Sequence, residues 1–180
     1  MNNQVKFWTL ATLTLAVSSL TVGGVVAQTR LTPQSKVSIN GIGPVRVGMT
    51  VSQASQAAGV RLAGDKPNNS CYYVSPKGYK NLGFMVTENR IARVDVYDKS
   101  RITTIRGAKI GDTEARIKSL YPGQIQVSPH NYVPGGHYLT FVPQDRADRN
   151  YRVVFETDGK RVTMYRAGKL PEVEYVEGCS

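Results

Sequence analysis

The sequence predicts an α+β fold: two repeated modules, each a short helix packed on a three-stranded antiparallel meander. Three observations predict it. First, Val45-Arg46-Val47-Gly48-Met49-Thr50 returns as Ala108-Lys109-Ile110-Gly111-Asp112-Thr113. Each copy reads as an extended approach, a glycine pivot, a threonine cap and a short amphipathic run. Second, Phe84 to Arg90 returns as Val154 to Lys160, strand residues running into a tight-turn pair. Third, the copies keep near-constant spacing: Thr50 to Thr113 is 63 residues, and Glu88 to Asp158 is 70. The seven additional residues fall naturally in the loop from His130 to His137.

Residues 1–27 read as a signal peptide. Lys6 precedes a run, Thr9 to Val26, that carries no charge, and Val25-Val26-Ala27 supplies small residues for cleavage before Gln28. No cysteine lies near Ala27, so a lipid anchor is not expected. Residues 28–40 are polar, contain Pro33 and show no periodicity, as a flexible lead-in would.

The first module is expected over 41–99. Pro44 excludes a helix through Gly41 to Val45. Thr50 followed by Gln53 has capping-box spacing, and Gly59 supplies a stop. Asn68-Asn69-Ser70 fits a glycosylation acceptor, a common chance match. Cys71 to Val74 and Leu82 to Thr87 read as strands, Glu88-Asn89 as a tight turn, and Ile91 to Tyr97 as an alternating strand. Regular alternation places Ala92, Val94 and Val96 on one face and Ile91, Arg93, Asp95 and Tyr97 on the other.

The second module and its tail are expected over 100–180, joined to the first around residues 98–107. Thr113 or Asp112 caps a helix with Ile117, Leu120 and Tyr121 as its buried stripe, and Pro122-Gly123 stops it. Tyr138 to Val142, Tyr151 to Thr157 and Arg161 to Tyr165 form the second meander, with Asp158-Gly159 as its hairpin. An acidic stretch, Glu172 to Glu177, leads to Cys179.

Net charge is +10; loss of Lys6 leaves 22 Lys+Arg against 13 acids, or +9. Such a surface attracts anionic lipid head groups, acidic glycans or acidic proteins; in an exported chain nucleic acid is not the expected partner. No apolar run after the signal could span a membrane. Cys71 and Cys179, the only two cysteines, read as one disulfide. Such a bond would bring the acidic tail along the first module, where it could add an edge strand.

Catalytic signals are weak. His130 and His137 flank Pro134-Gly135-Gly136 without a matching set of Cys, Asp or Glu ligands, so no metal and no cofactor is expected. Ser128 lies near His130 but lacks a nucleophile-elbow context. The binding surface the sequence favours is Arg90, Arg93, Tyr97, Lys99 and Arg101, basic groups interleaved with a tyrosine around one strand.

The Val-x-x-Gly-Met-Thr run at 45–50, ahead of a helix and a meander, resembles the BamE (SmpA/OmlA) outer-membrane module, and the tandem arrangement resembles the secreted beta-lactamase inhibitory proteins. The likeness covers 45–59 well and 108–122 moderately, Asp112 standing where the pattern has Met. It implies a helix-on-meander fold and a periplasmic or secreted, non-enzymatic role. The expected function is therefore binding of an anionic envelope component or a protein partner. Inhibition of another enzyme, or an enzyme centred on the His130–His137 loop, are the alternatives.

Overall fold

The computed structural model describes residues 30–65 and 70–179. The signal-peptide expectation and Asn68-Asn69 of the glycosylation tripeptide lie outside the described residues. The chain is mostly β. Strands β1 (Val37–Ser38), β2 (Gly41–Ile42) and β3 (Val45–Arg46) make a small antiparallel sheet before helix α1 (Val51–Ala58). Then come β4 (Leu62–Ala63), β5 (Cys71–Pro76), β6 (Leu82–Thr87) and β7 (Arg90–Val96), helix α2 (Glu114–Leu120), β8 (Ile125–Pro129), β9 (His137–Phe141), β10 (Tyr151–Thr157) and β11 (Val162–Lys169). Single 3-10 turns occupy Arg146–Asp148 and Glu172–Glu174.

This corrects the expected fold class. The chain is not two repeated helix-on-meander modules but one eight-stranded antiparallel sheet, ordered β4-β5-β6-β7-β11-β10-β9-β8, with a three-stranded sheet and two helices. The decisive contact is β7 against β11, pairing Val96 with Tyr165 through to Arg93 with Gly168. A free-standing meander would leave each of these strands with an unpaired edge, and joining them removes both edges. Gly168 permits the approach: a Cβ there would sit 2.4 Å from the Ala92 carbonyl oxygen and from Arg93 Cβ.

Local chemistry behaves as the residue types dictate. Thr50 accepts from the Gln53 amide at 3.2 Å while Gln53 accepts from the Thr50 amide at 2.9 Å, a closed capping box. Gly59 ends α1 at φ +66°, in the left-handed region. Both helix leads are tied to the sheet in the same way. Gly48 N–H donates to Ile91 O and Gly111 N–H to Val162 O, each at 2.8 Å. Arg90 and Arg161 in turn donate to the carbonyls of Gly48 and Gly111, each at 2.7 Å.

One face of the sheet carries the main apolar core. Leu82, Phe84, Val94, Val96, Leu139, Phe155 and Tyr165 pack under Ala54 and Ala58 of α1, Ile117 of α2, and Val37, Ile42 and Val45 of the small sheet. Two bulges adjust which side chains join it. Met85 opposes Arg93 but Val86 opposes Ile91, so Ala92 is the additional residue; Glu156 opposes Met164 but Thr157 opposes Val162, so Thr163 is its counterpart. Ile91 therefore faces the core together with Val94 and Val96, against the regular alternation expected from the sequence.

The lead-in is also corrected over its described part. Leu31 and Val37 are buried, Leu31 N–H donates to Ala58 O at 3.0 Å, and Val37 N–H donates to Thr103 O at 2.9 Å. Two apolar side chains give residues 30–40 a place in the core that their polar neighbours conceal. Within the junction, residues 102–106 contribute one bridge, Val37 to Thr104.

The Cys71–Cys179 disulfide is present, across a sequence separation of 108. The tail it ties down does not add an edge strand, since β4 holds that edge. The tail instead crosses the second face of the sheet. Among the described residues no helix is long and apolar enough to cross a membrane.

Candidate functional site

The second face has an unusual composition for a buried surface. Side chains alternate off the core face, so β7 sends Arg93 and Asp95 there, β11 sends Arg166, and β10 sends Glu156. All four are buried. Asp95 and Arg166 lie opposite one another in the β7–β11 pair. Arg93 Nε donates to Asp95 Oδ2 at 3.1 Å, and Arg166 pairs with Glu156. Glu156 also takes His130 Nε2 at 3.2 Å.

Both arginines then reach the tail. Arg93 donates to the carbonyls of Glu172 at 2.8 Å and Tyr175 at 2.7 Å, and to the Tyr73 hydroxyl at 2.7 Å. Arg166 donates to Val173 O at 2.6 Å. The two guanidinium groups thus add charged donors to the tail, whose Glu172 and Tyr175 carbonyls also accept from the Tyr175 and Gly178 amides at 3.2 and 3.4 Å. Val173 is fully buried between them, and Glu172 Oε1 accepts from Thr87 at 2.6 Å and from Lys169 at 3.0 Å. Burial holds the Asp95 carboxyl above the ordinary carboxylate range, with Arg93 acting against it. Burial first, then the charge of Asp95, pushes the Tyr73 hydroxyl up to about 12.

The five residues expected to form a binding surface separate. Arg93 is corrected outright: it is 3 % exposed, with its donors spent on Asp95, Tyr73 and the tail. It left solvent because the tail covers the face that a lone meander would have exposed. Arg90 is exposed at the far end of β7, held to the Gly48 carbonyl. Tyr97 lies flat against Gly83, where an added Cβ would meet its ring at 3.1 Å. Lys99 and Arg101 do come together. A turn closed by Ser100 N–H to Tyr97 O places them on one rim of a cleft of about 390 Å³.

Lys80, on the β5–β6 loop, faces the same cleft, whose other walls include Pro33, Tyr79, Leu82 and Ile102. All three cations are exposed, and no acid lines the cleft among the described residues. Sequence reasoning missed Lys80. Its signal was a basic residue in the Pro76-Lys77-Gly78 turn region, unremarkable until the loop over 97–102 is seen folded against it.

The two histidines do not share a site. His130 Nδ1 accepts from the Tyr132 amide at 3.1 Å, which leaves the proton on Nε2, facing Glu156. Its ring stacks on Tyr138 at a centroid distance of 4.5 Å. His137 turns to the other face and meets Glu114, at the start of α2, at 2.8 Å. Both rings are bound into local structure rather than poised over a cavity. No group of three or more His, Cys, Asp or Glu side chains among the described residues could hold a metal ion.

Glu114 yields a test of this second contact. Burial raises its carboxyl, and hydrogen bonds from Thr157 at 2.6 Å and His137 reverse that, leaving it below its ordinary value. A depressed folded value stabilises the protein above the unfolded value, and the gain disappears as pH falls through the folded one. Stability should therefore fall less steeply in Glu114→Gln than in the parent from about pH 6 to about pH 3. Parallel urea-midpoint profiles for the two proteins would refute this.

No family model, no curated protein and no solved structure matches the chain.

Proposed function

We propose that this chain is an exported, non-enzymatic binding protein that holds an anionic group of a cell-envelope component in the cleft formed by Lys80, Lys99 and Arg101. The observation that carries the reading is that convergence: three exposed cations from two loops around one concavity without an acid. Phosphate and carboxylate suit such a cleft, since Arg101 can bind them through two donors while Lys80 and Lys99 add point charges. The apolar walls, Tyr79, Leu82 and Ile102, suit the uncharged part of a head group or sugar. Export is supported by the charge-free run ending at Ala27 and by the disulfide, a bond that persists in oxidising compartments. The charge of +9 that remains without Lys6 adds long-range attraction to such surfaces.

The test compares the chain from Gln28 onward with its Lys99→Glu, Arg101→Glu variant. Both are passed over vesicles containing phosphatidylglycerol and over beads carrying an acidic glycan. The parent should be retained on one of the two at low salt and released at high salt, because the Debye length shrinks from about 10 Å at 0.1 M to about 3 Å at 1 M. The variant should be retained at least tenfold more weakly. Equal retention of both proteins would remove the cleft from consideration. No retention of either would point to a protein partner, or to a charge that serves solubility alone.

A further inference from the structure

A second concavity, of about 620 Å³, lies on the tail-covered face beyond the tail itself, above β8, β9 and β10. Its lining has a chemistry unlike that of the basic cleft. Gln126, Thr140, Val154 and Arg166 form one row across four neighbouring strands, and Ser128, Tyr138 and Glu156 form the next. Neighbours within a row stand about 4.8 Å apart, the strand spacing. Asn131, on the loop after β8, completes the rim.

The charged groups near the floor are already satisfied. Arg166 is committed to Glu156 and to the Val173 carbonyl, and the Tyr138 ring carries His130 stacked at 4.5 Å and the Arg166 guanidinium 5.9 Å from its centroid. The side chains of Gln126, Ser128, Asn131 and Thr140 have no hydrogen-bond partner among the described residues. Two amides and two hydroxyls thus converge on one space, each able both to donate and to accept. Between them lie apolar groups, the buried Val154 beneath the floor and Val176 of the tail, 36 % exposed, on the wall.

We infer that this concavity binds a neutral saccharide. Vicinal hydroxyls, each donor and acceptor at once, match amide and hydroxyl partners spaced one strand apart. The C–H face of a sugar ring matches Val176, the exposed apolar side chain of the wall. An anion is disfavoured here because Arg166 is neutralised by Glu156, and Glu174 on the rim adds negative charge. An extended peptide would take its main-chain bonds from the open edge of β8, not from side chains on the sheet face. The donors and acceptors are carried mainly by paired strands, so little ordering remains to be supplied on binding.

The experiment is an NMR titration of the ¹⁵N-labelled chain from Gln28 onward, using maltotetraose, cellotetraose and N-acetylated chitotetraose as probes at millimolar concentration. One of the three should shift the side-chain amide signals of Gln126 and Asn131 in a saturable way. The Gln126→Ala, Thr140→Val variant should weaken that binding at least about tenfold, or about 1.4 kcal/mol. The Lys99→Glu, Arg101→Glu variant should bind the same sugar as the parent does, which separates this site from the anionic cleft. Absence of shifts at Gln126 and Asn131 with all three probes would overturn the inference. So would unchanged affinity in Gln126→Ala, Thr140→Val.

Discussion

Replacing Arg93 with methionine is expected to destabilise the protein by about 3–5 kcal/mol, the range for removing one partner of a buried ion pair. The residue looks, from its neighbours in sequence, like a surface contact whose loss should cost little. Its position says otherwise. Asp95 is completely buried and would lose its counter-ion, while the carbonyls of Glu172 and Tyr175 would lose their charged donor and keep only the amides of Tyr175 and Gly178. Methionine keeps most of the volume, so the loss should arise from stranded polar groups rather than from a cavity. Adding Asp95→Asn to that variant should recover part of the stability, since it removes the uncompensated charge. Denaturant unfolding of the parent, both single variants and the double variant measures this coupling. A loss below about 1 kcal/mol in Arg93→Met would contradict the buried network. So would a double variant weaker than the parent by the full sum of the two single losses.

The second large effect is expected from the disulfide. Changing Cys71 and Cys179 together to serine should lower stability by up to about 4.7 kcal/mol, the chain-entropy figure for a loop of about 100 residues. The bond spans 108 residues and joins β5 to the end of the tail. Its loss should act unevenly along that tail. Glu172 and Val173 keep their contacts with Arg93, Arg166, Thr87 and Lys169, whereas Tyr175 to Cys179 are mostly exposed. Hydrogen exchange in the serine variant should therefore quicken after residue 175 and stay slow at Glu174, whose amide donates to the Pro171 carbonyl at 3.0 Å. Unfolding midpoints that coincide for parent and variant would show that the covalent tie does not limit the unfolded chain.

Features that need only a few neighbouring residues were legible in the sequence. The capping box of Thr50 and Gln53, the left-handed stop at Gly59, the Glu88-Asn89 turn at φ +51° and +59°, and the hairpin at Asp158-Gly159 all depend on local backbone chemistry. The cysteine pairing was legible because only one pair exists. Lys99 and Arg101 were legible as neighbouring cations, and they do share a rim.

The rest depends on contacts between segments far apart in the chain. The pairing of β7 with β11 joins residues about 70 apart, and nothing in either strand's pattern distinguishes a shared interior edge from an exposed one. The bulges at Ala92 and Thr163 each insert one residue, which is enough to exchange faces for everything beyond. Arg93 and Asp95 alternate with valines as an exposed face would, yet they are buried, because the tail from Glu172 to Tyr175 supplies the carbonyls that make their burial tolerable. Periodicity reports that a strand has two unlike faces. Whether the polar face meets water or a folded-back tail depends on where a distant segment is held, here by a disulfide and two arginines.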